Sequence, residues 1–182
     1  RAIDAARTVA IPFDREVLHV LPQEFAVDDQ RGVRDPIGMF GVRLEANVHI
    51  VTGAVTAVQN VCKSVQRADL EVADIVLEPL ASSRAVLTED EKDMGVCLVD
   101  VGGGTSDVAL FFQGSVRKTA CIGVGGQSVT RDIAICLRTS WGQAERLKVD
   151  HGSALLAETE APDFIDMVGG LPRGQVSRTE LA

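Results

Sequence analysis

Residues 98–107 read LVDVGGGTSD, and this stretch indicates how the centre of the chain folds. The apolar residues before the glycines predict a strand over 96–101, and those after them predict a second strand over 106–112. A two-residue turn then predicts a third strand over 115–122. The sequence therefore predicts an antiparallel meander with three glycines at one of its ends.

The consecutive glycines Gly102, Gly103 and Gly104 leave backbone N–H groups uncovered, and such a nest binds an anion. Asp100 beside the nest would repel a phosphate unless a cation lay between them, which favours a Mg²⁺-phosphate ligand. Thr105 adds a hydroxyl, which we expect to reach the same phosphate. The turn is not a Walker loop, because a strand and not a helix follows it. An ordinary glycine hairpin turn is the alternative, and the residues on either side favour phosphate.

A second glycine stretch, residues 123–126, directly precedes a helix predicted over 126–137. A helix that begins after glycines offers free N–H groups and the positive end of its dipole. Taken alone this signal is weak.

Glu145 and Lys148 lie three residues apart on a further helix, predicted over 142–149. This spacing is typical of a surface ion pair that contributes little to stability. The alternative is a contact with a ribose or a base, which the two glycine stretches earlier in the chain favour.

Residues 1 to about 70 predict a small unit of sheet and helix. The β-prone stretch 17–28 contains Pro22, which predicts two short strands or one edge strand broken at the proline. Alternating apolar residues predict a half-buried strand over 42–51, and apolar positions at helical intervals predict an amphipathic helix over 54–68. This part has no nucleophile, metal cluster or phosphate loop of its own, so we interpret it as a scaffold or contact module.

The segment between this module and the glycine turn predicts one strand and one helix. Residues 72–77 form the predicted strand, and residues 78–87 a helix whose early proline is tolerated. Glu78 lies at the junction, where α/β sheets present functional side chains. The polar residues 88–93 predict an exposed loop, and so do the Gly- and Pro-rich residues after Glu158.

Composition excludes several classes of protein. The chain has 182 residues, enough for one hydrophobic core or two small ones, and its formal charge of −8 argues against nonspecific nucleic-acid binding. No apolar run approaches the roughly 18 to 20 residues of a membrane span. The chain starts with Arg1 rather than Met, and its last residues read like a helix start, so we expect an internal fragment. The four cysteines lack zinc-ligand spacing, and apolar neighbours predict three buried thiols: Cys62, Cys97 and Cys136.

The stretch at 98–107 resembles the second phosphate motif of the actin and heat-shock chaperone ATPase superfamily. Other stretches are similar to the bacterial cell-division family FtsA, and the resemblance extends from about Val9 to Gly174. The most similar of these stretches are VLPQEF at 20–25, GVRL at 41–44, LEPLASS at 77–83 and AERLKVDHG at 144–152.

This resemblance implies an α/β fold, namely half of an actin-like (ribonuclease-H-like) ATPase with an additional small β-sheet-plus-helix subdomain. Residues 1–73 would be the FtsA-type extra subdomain, which family members use for protein–protein contacts. Residues 74–182 would be a partial nucleotide-binding domain. The first phosphate loop would precede Arg1, and the adenosine loop would follow Ala182.

The resemblance also implies a role for each matching residue. In the superfamily, the turn matching Gly102–Thr105 holds the β- and γ-phosphates of ATP, and the aspartate matching Asp100 holds Mg²⁺ through water. The acidic residue matching Glu78 faces the attacking water. The other matching residues lie near the nucleotide or flank its ribose and base: Gly125, Gly126, Glu145 and Lys148.

The function implied is an ATP-binding adaptor that tethers FtsZ filaments to the cytoplasmic face of the bacterial inner membrane at the division site. It would self-associate into actin-like filaments and recruit later division proteins through residues 1–73. Membrane contact would come only through a C-terminal helix outside this chain. Hydrolysis would be weak at most, and the fragment by itself inactive. The alternative is another actin-superfamily ATPase, either chaperone-like, a sugar kinase, or a pilus or shape-determining actin homologue.

Overall fold

The computed structural model describes residues 2–6, 8–154, 164–166, 175–177 and 181. The chain forms two compact units. The first comprises Arg1–Asp100 and Asp107–Cys121, and the second comprises Val101–Ser106 and Ile122–Ala182. The chain thus enters the second unit for the glycine turn and returns to the first for the strand that follows.

The N-terminal part of the first unit is a three-stranded antiparallel sheet with strand order β2-β1-β3. The strand predicted over 42–51 and the helix predicted over 54–68 are both confirmed, with ends shifted by one to three residues. The elements are α1 (Ala2–Ala6), β1 (Arg15–Val27), β2 (Gln30–Val33), β3 (Leu44–Ala54) and α2 (Val55–Gln66).

The prediction that Pro22 breaks a strand or occupies an edge strand was wrong, because β1 is one strand in the middle of its sheet. The short β2 pairs with β1 only from Phe25 to Val27. At Pro22 the described neighbour of β1 is therefore β3 alone, so β1 is locally at the edge of the sheet where it carries the proline. A register shift between Pro22 and Glu24 accommodates the ring.

The prediction of a strand over 72–77 was also wrong, since residues 70–77 form neither strand nor helix. Side chains take the amides that a strand ladder would need. The Ile75 amide donates to the carboxylate of Asp74 at 2.8 Å, and the Leu77 amide donates to His19 Nε2 at 3.0 Å. A mostly apolar, β-prone run does not form a strand without a neighbour to accept its hydrogen bonds.

Two helices follow this segment, α3 (Glu78–Val86) and α4 (Glu89–Met94). The first was predicted, but the loop predicted over 88–93 was wrong. Thr88 and Glu91 form a capping box, in which the Thr88 side chain accepts the Glu91 amide while the Glu91 carboxylate accepts the Thr88 amide. The spacing of a threonine and a glutamate was a helix signal that the high polarity of the segment obscured.

The predicted strands around the glycine turn are confirmed as β4 (Val96–Val101), β5 (Ser106–Phe112) and β6 (Ser115–Ile122), in sheet order β4-β5-β6. The turn between the last two has φ of 53° at Gln113 and 72° at Gly114, as a type I′ hairpin turn requires. The buried residues of this sheet form the core of the first unit: Ala109, Phe111 and Val116, packed by Leu21, Leu80, Leu87, Val96 and Leu98.

The second unit contains α5 (Gly126–Cys136), α6 (Trp141–His151), β7 (Phe164–Asp166) and β8 (Gln175–Ser177). Both predicted helices are confirmed. The loop predicted after Glu158 was wrong at the two short strands, which pair antiparallel. Apart from Leu181, its other residues lie outside the described part. The core of this unit comprises Ile133, Ala144, Leu147 and Ile165.

The prediction of buried thiols was wrong. Cys97 and Cys136 are exposed, and Cys62 is half-buried. Burial alternates along β4, so that Cys97 lies on its solvent side although both neighbours are apolar. In the described residues, no helix combines the length and the apolar character needed to cross a bilayer.

Candidate functional site

The glycine turn presents unused backbone donors. A hydrogen bond of 2.8 Å from the Gly102 amide to the Thr105 carbonyl closes the turn. Across the described residues, the amides of Gly103 and Gly104 donate to no protein acceptor. A Cβ atom at Gly104 would have nothing within 4 Å, so the backbone there faces open space. This open row of N–H groups has the chemistry of an anion nest, and its geometry fits a phosphate group.

The second glycine stretch holds the first in place. The amides of Gly126 and Gln127 donate to the carbonyls of Gly102 and Gly103 at 2.9 and 2.8 Å. The prediction that this stretch supplies free N–H groups was therefore wrong for the first residues of α5. Their donors connect the turn to the N-terminus of the helix.

Gly125 permits this close approach of the two stretches. It is buried, and a Cβ atom there would lie 2.5 Å from the Gly102 carbonyl oxygen and 2.7 Å from that of Gly103. Such distances do not occur between a real Cβ and backbone oxygen, so a side chain would force the two stretches apart. The Ser106 hydroxyl adds a further connection by donating to the Val124 carbonyl at 2.7 Å.

A polar network connects the start of α5 to α6. Lys148 Nζ donates to the Gly126 carbonyl at 3.2 Å, to Thr130 Oγ1 at 2.9 Å and to the carboxylate of Glu145 at 2.8 Å. The Thr130 hydroxyl, which is fully buried, donates to the same carboxylate. All three ammonium protons thus have protein acceptors, so the ion pair predicted from the spacing is present and extends into a network.

The network lowers the pKa of Glu145. Hydrogen bonds from Lys148 and then from Thr130 stabilise its carboxylate form and hold the pKa of Glu145 below its ordinary value of 4.5. A carboxylate with a lowered pKa in the folded state stabilises that state above its unfolded-state pKa. This stabilisation is lost as the pH falls through the folded-state pKa.

We therefore expect Glu145→Gln to lower the free energy of unfolding at pH 7. The difference from the wild type should shrink as the pH falls below 4.5, because the wild-type residue then also loses its charge. Urea unfolding of both proteins at pH 7 and at about pH 3 measures this difference. Asp150→Asn, at an exposed position of the same helix, is the matched control. An equal loss of stability at both pH values would contradict the role assigned to the Glu145 charge.

Asp100 lies in the first unit, at the end of β4 and two residues before the glycine turn in the chain. The Ser82 hydroxyl of α3 donates to Asp100 Oδ2 at 2.6 Å and leaves the other carboxylate oxygen without a described donor. Among the described residues, no three His, Cys, Asp or Glu side chains converge on one point. A single oriented carboxylate fits Mg²⁺, which takes most of its ligands from water and phosphate.

Glu78 is the first residue of α3, in the same unit as Asp100. Its carboxylate is exposed and lies close enough to Cys121 to raise the pKa of that thiol. The largest cause of that rise is the hydrogen bond between Cys121 and Asp107, which stabilises the neutral thiol. Cys121 is therefore a thiol at neutral pH and not a nucleophile.

The predicted site residues thus fall into two groups. Gly102–Thr105 and the four predicted nucleotide contacts Gly125, Gly126, Glu145 and Lys148 belong to the second unit. Asp100 and Glu78 belong to the first unit.

Sequence reasoning missed Ser82 and Thr130. Ser82 had a signal, because it follows Glu78 by four residues and so shares its face of the helix. Thr130 had none, because its partners lie on another helix.

Comparisons with known proteins show that the chain is similar to cell division proteins. One family model, the SHS2 domain inserted in FtsA, matches residues 1–52, and a second, cell division protein FtsA, matches residues 97–182. The chain is 53% identical over its whole length to the cell division protein FtsA of Pseudomonas aeruginosa. It is 41% identical to that of Escherichia coli over 99% of its length, and 40% identical to that of Bacillus subtilis over 92%. It spans less than half the length of each, at 44%, 43% and 38%.

Solved structures show the same fold. The structure of a type IV pilus biogenesis complex, PilM–PilN, matches with a TM-score of 0.60. The match covers 80% of this chain and 40% of the pilus protein chain, and at 17% sequence identity it shows the fold alone. MreB5 of Spiroplasma citri bound to AMPPNP matches with a TM-score of 0.55 and 25% sequence identity. This match covers 71% of the present chain and 42% of the MreB5 chain. The fold is therefore α/β and actin-like, as expected. With both family models matched and relatives identical at 40 to 53% of the aligned positions, the chain belongs to the FtsA family of bacterial cell-division proteins.

Proposed function

We propose that this chain is part of an actin-like, ATP-binding adaptor of cell division. In this role the protein tethers FtsZ filaments to the cytoplasmic face of the inner membrane at the division site and recruits later division proteins. The observation that carries the proposal is the row of free amides at Gly103 and Gly104, held open by the connection to α5. An actin-like neighbour bound to an ATP analogue supports the choice of ligand.

The glycine turn would bind the β- and γ-phosphates of ATP through its backbone amides. Asp100, oriented by Ser82, would hold the Mg²⁺ ion through water. A bound Mg²⁺ ion neutralises phosphate charge as it develops. Gly125 and Gly126 would support the phosphate turn rather than donate to the nucleotide, while Glu145 and Lys148 would lie near its ribose and base.

Glu78 would orient the water that attacks the γ-phosphate, in keeping with its place at the start of α3. Positioning of water alone leaves most of the charge of the transition state unstabilised. We therefore propose weak hydrolysis at most, so that Glu78 serves more as a sensor of the nucleotide state than as an efficient catalyst.

Residues 1–73 would form the subdomain for self-association and for contacts with later division proteins, and residues 74–182 part of the nucleotide-binding domain. The match of residues 1–52 to the SHS2 domain inserted in FtsA supports this division of labour. Membrane contact would come from a C-terminal helix outside the chain.

The adaptor role predicts a three-part complex. Full-length protein, mixed with ATP, Mg²⁺ and vesicles of anionic phospholipid, should bring FtsZ into the vesicle pellet on sedimentation. FtsZ without its C-terminal tail is the matched control and should stay in the supernatant. Full-length protein that binds vesicles but leaves intact FtsZ in solution would refute the tethering role, and protein that fails to bind vesicles would refute the membrane role.

A further inference from the structure

His19 of β1 contacts the segment that leads into α3. Its Nε2 atom accepts the Leu77 amide at 3.0 Å, and both residues belong to the first unit. Leu77 is the N-cap residue of α3, and Glu78 is the first residue of the helix. The imidazole therefore holds the backbone one residue before the carboxylate that the proposed function assigns to the attacking water.

This hydrogen bond restrains the start of α3 from outside the helix. The N-cap Leu77 has no side chain that can cap the helix, and Pro79 has no N–H. The preceding residues 70–77 belong to no strand or helix, so sheet pairing does not hold them either. In the described part of the chain, the His19 acceptor is the one side chain that binds the N-cap amide.

A β-bulge lies directly before His19 in β1. The pairing of β1 with β3 shifts register between Val17 and His19. A bulge of this kind changes the direction in which the following side chains point, and bulges occur often beside active sites. The imidazole thereby reaches beyond its own sheet to the backbone before the helix.

The same helix is bound at a second point. Ser82 lies four residues after Glu78, and its hydroxyl donates to Asp100 at 2.6 Å. Helix α3 is thus held by His19 at its start and by Asp100 one turn later, with Glu78 between the two contacts. Loss of the first contact would free the end of the helix that carries Glu78 and leave the second contact intact.

We propose that His19 is a positioning residue for Glu78, acting through the Leu77 backbone. This inference rests on the proposed function, because it needs Glu78 to orient water during hydrolysis. A misplaced reacting group costs up to about two orders of magnitude in rate. We expect His19→Leu in the full-length protein to lower kcat for ATP hydrolysis about tenfold and to leave the Kd for ATP unchanged.

Conservative and control variants separate this role from a general loss of structure. The amide of His19→Gln reaches the place of Nε2 and can accept the same hydrogen bond, so kcat should return to within about twofold of the wild type. His49→Leu is the matched control, because His49 Nε2 also makes a long-range hydrogen bond, to Thr119 Oγ1 of β6 at 3.0 Å, and has no described hydrogen bond to α3. Its kcat should stay within about twofold of the wild type. If the leucine variant does not fold, His19→Asn, whose amide is too short, takes its place.

A double-mutant cycle with Glu78→Gln decides whether His19 acts through Glu78. If it does, His19→Leu should cause no further loss of kcat once Glu78 has been replaced. An additive loss, an equal loss in the His49 control, or an unchanged kcat in folded His19→Leu would each overturn the proposal. Wild-type protein that binds ATP without hydrolysing it would overturn the positioning role alone. Wild-type protein that fails to bind ATP would instead refute the proposed function.

Discussion

Gly103→Arg in the full-length protein is expected to abolish ATP binding. A side chain at this position occupies the space in front of the free amides of Gly103 and Gly104, where phosphate oxygens would accept hydrogen bonds. We expect the Kd for ATP to rise at least about 100-fold, or about 2.7 kcal/mol. Equilibrium titration with a fluorescent ATP analogue, with and without Mg²⁺, measures the change.

The substitution should leave the fold intact. A Cβ atom at Gly103 would have the flexible side chain of Gln127 as its nearest neighbour, at 3.5 Å, which is an ordinary contact. Gly142→Arg adds the same charge at a position of α6 where a Cβ would meet nothing within 4 Å, so it is the matched control. Unchanged affinity in folded Gly103→Arg would show that the nucleotide binds elsewhere.

Gly125→Ala should damage both stability and ATP binding. Its Cβ would lie 2.5 and 2.7 Å from the carbonyl oxygens that accept the amides of Gly126 and Gln127. Separation of the two glycine stretches would break both hydrogen bonds and strain the backbone. Two hydrogen bonds and an overpacked contact together suggest a loss of about 3 kcal/mol in the free energy of unfolding. Affinity for ATP should fall as well, because the turn loses its support.

Gly123→Ala is the control for this substitution. It makes the same change two residues earlier, where a Cβ atom would meet nothing within 4 Å. Urea unfolding and ATP titration of the two variants, side by side, measure stability and affinity. If both variants match the wild type, the close approach at Gly125 does not hold the turn. If Gly125→Ala loses stability but keeps its affinity, the connection to α5 is structural and does not support the phosphate site.

Sequence reasoning succeeded where the signal was local. The strands on both sides of the glycine turn follow from mostly apolar runs next to the glycines, and the helix at Glu78 follows from its early proline. The family was also predicted from short stretches. Each stretch is recognised from its own consecutive residues, so no knowledge of distant contacts was needed.

The errors came where a distant group decided the outcome. Residues 72–77 are mostly apolar and predicted a strand, yet the amide of Leu77 bonds to His19, 58 residues away. Pro22 is tolerated within β1 because the partner on one side is too short to reach it. The residues next to Leu77 and Pro22 in the sequence reveal neither the hydrogen bond to His19 nor the short reach of β2.

The sequence by itself determined the glycine turn, its acidic neighbour and the family, because each depends on residue types at fixed separations along the chain. Only the tertiary structure decided which amides remain free to bind an anion. The amides of Gly126 and Gln127 are used to hold the turn, and those of Gly103 and Gly104 remain available. A backbone donor can serve one strong acceptor, and which acceptor comes within reach is settled by packing and not by the order of the residues.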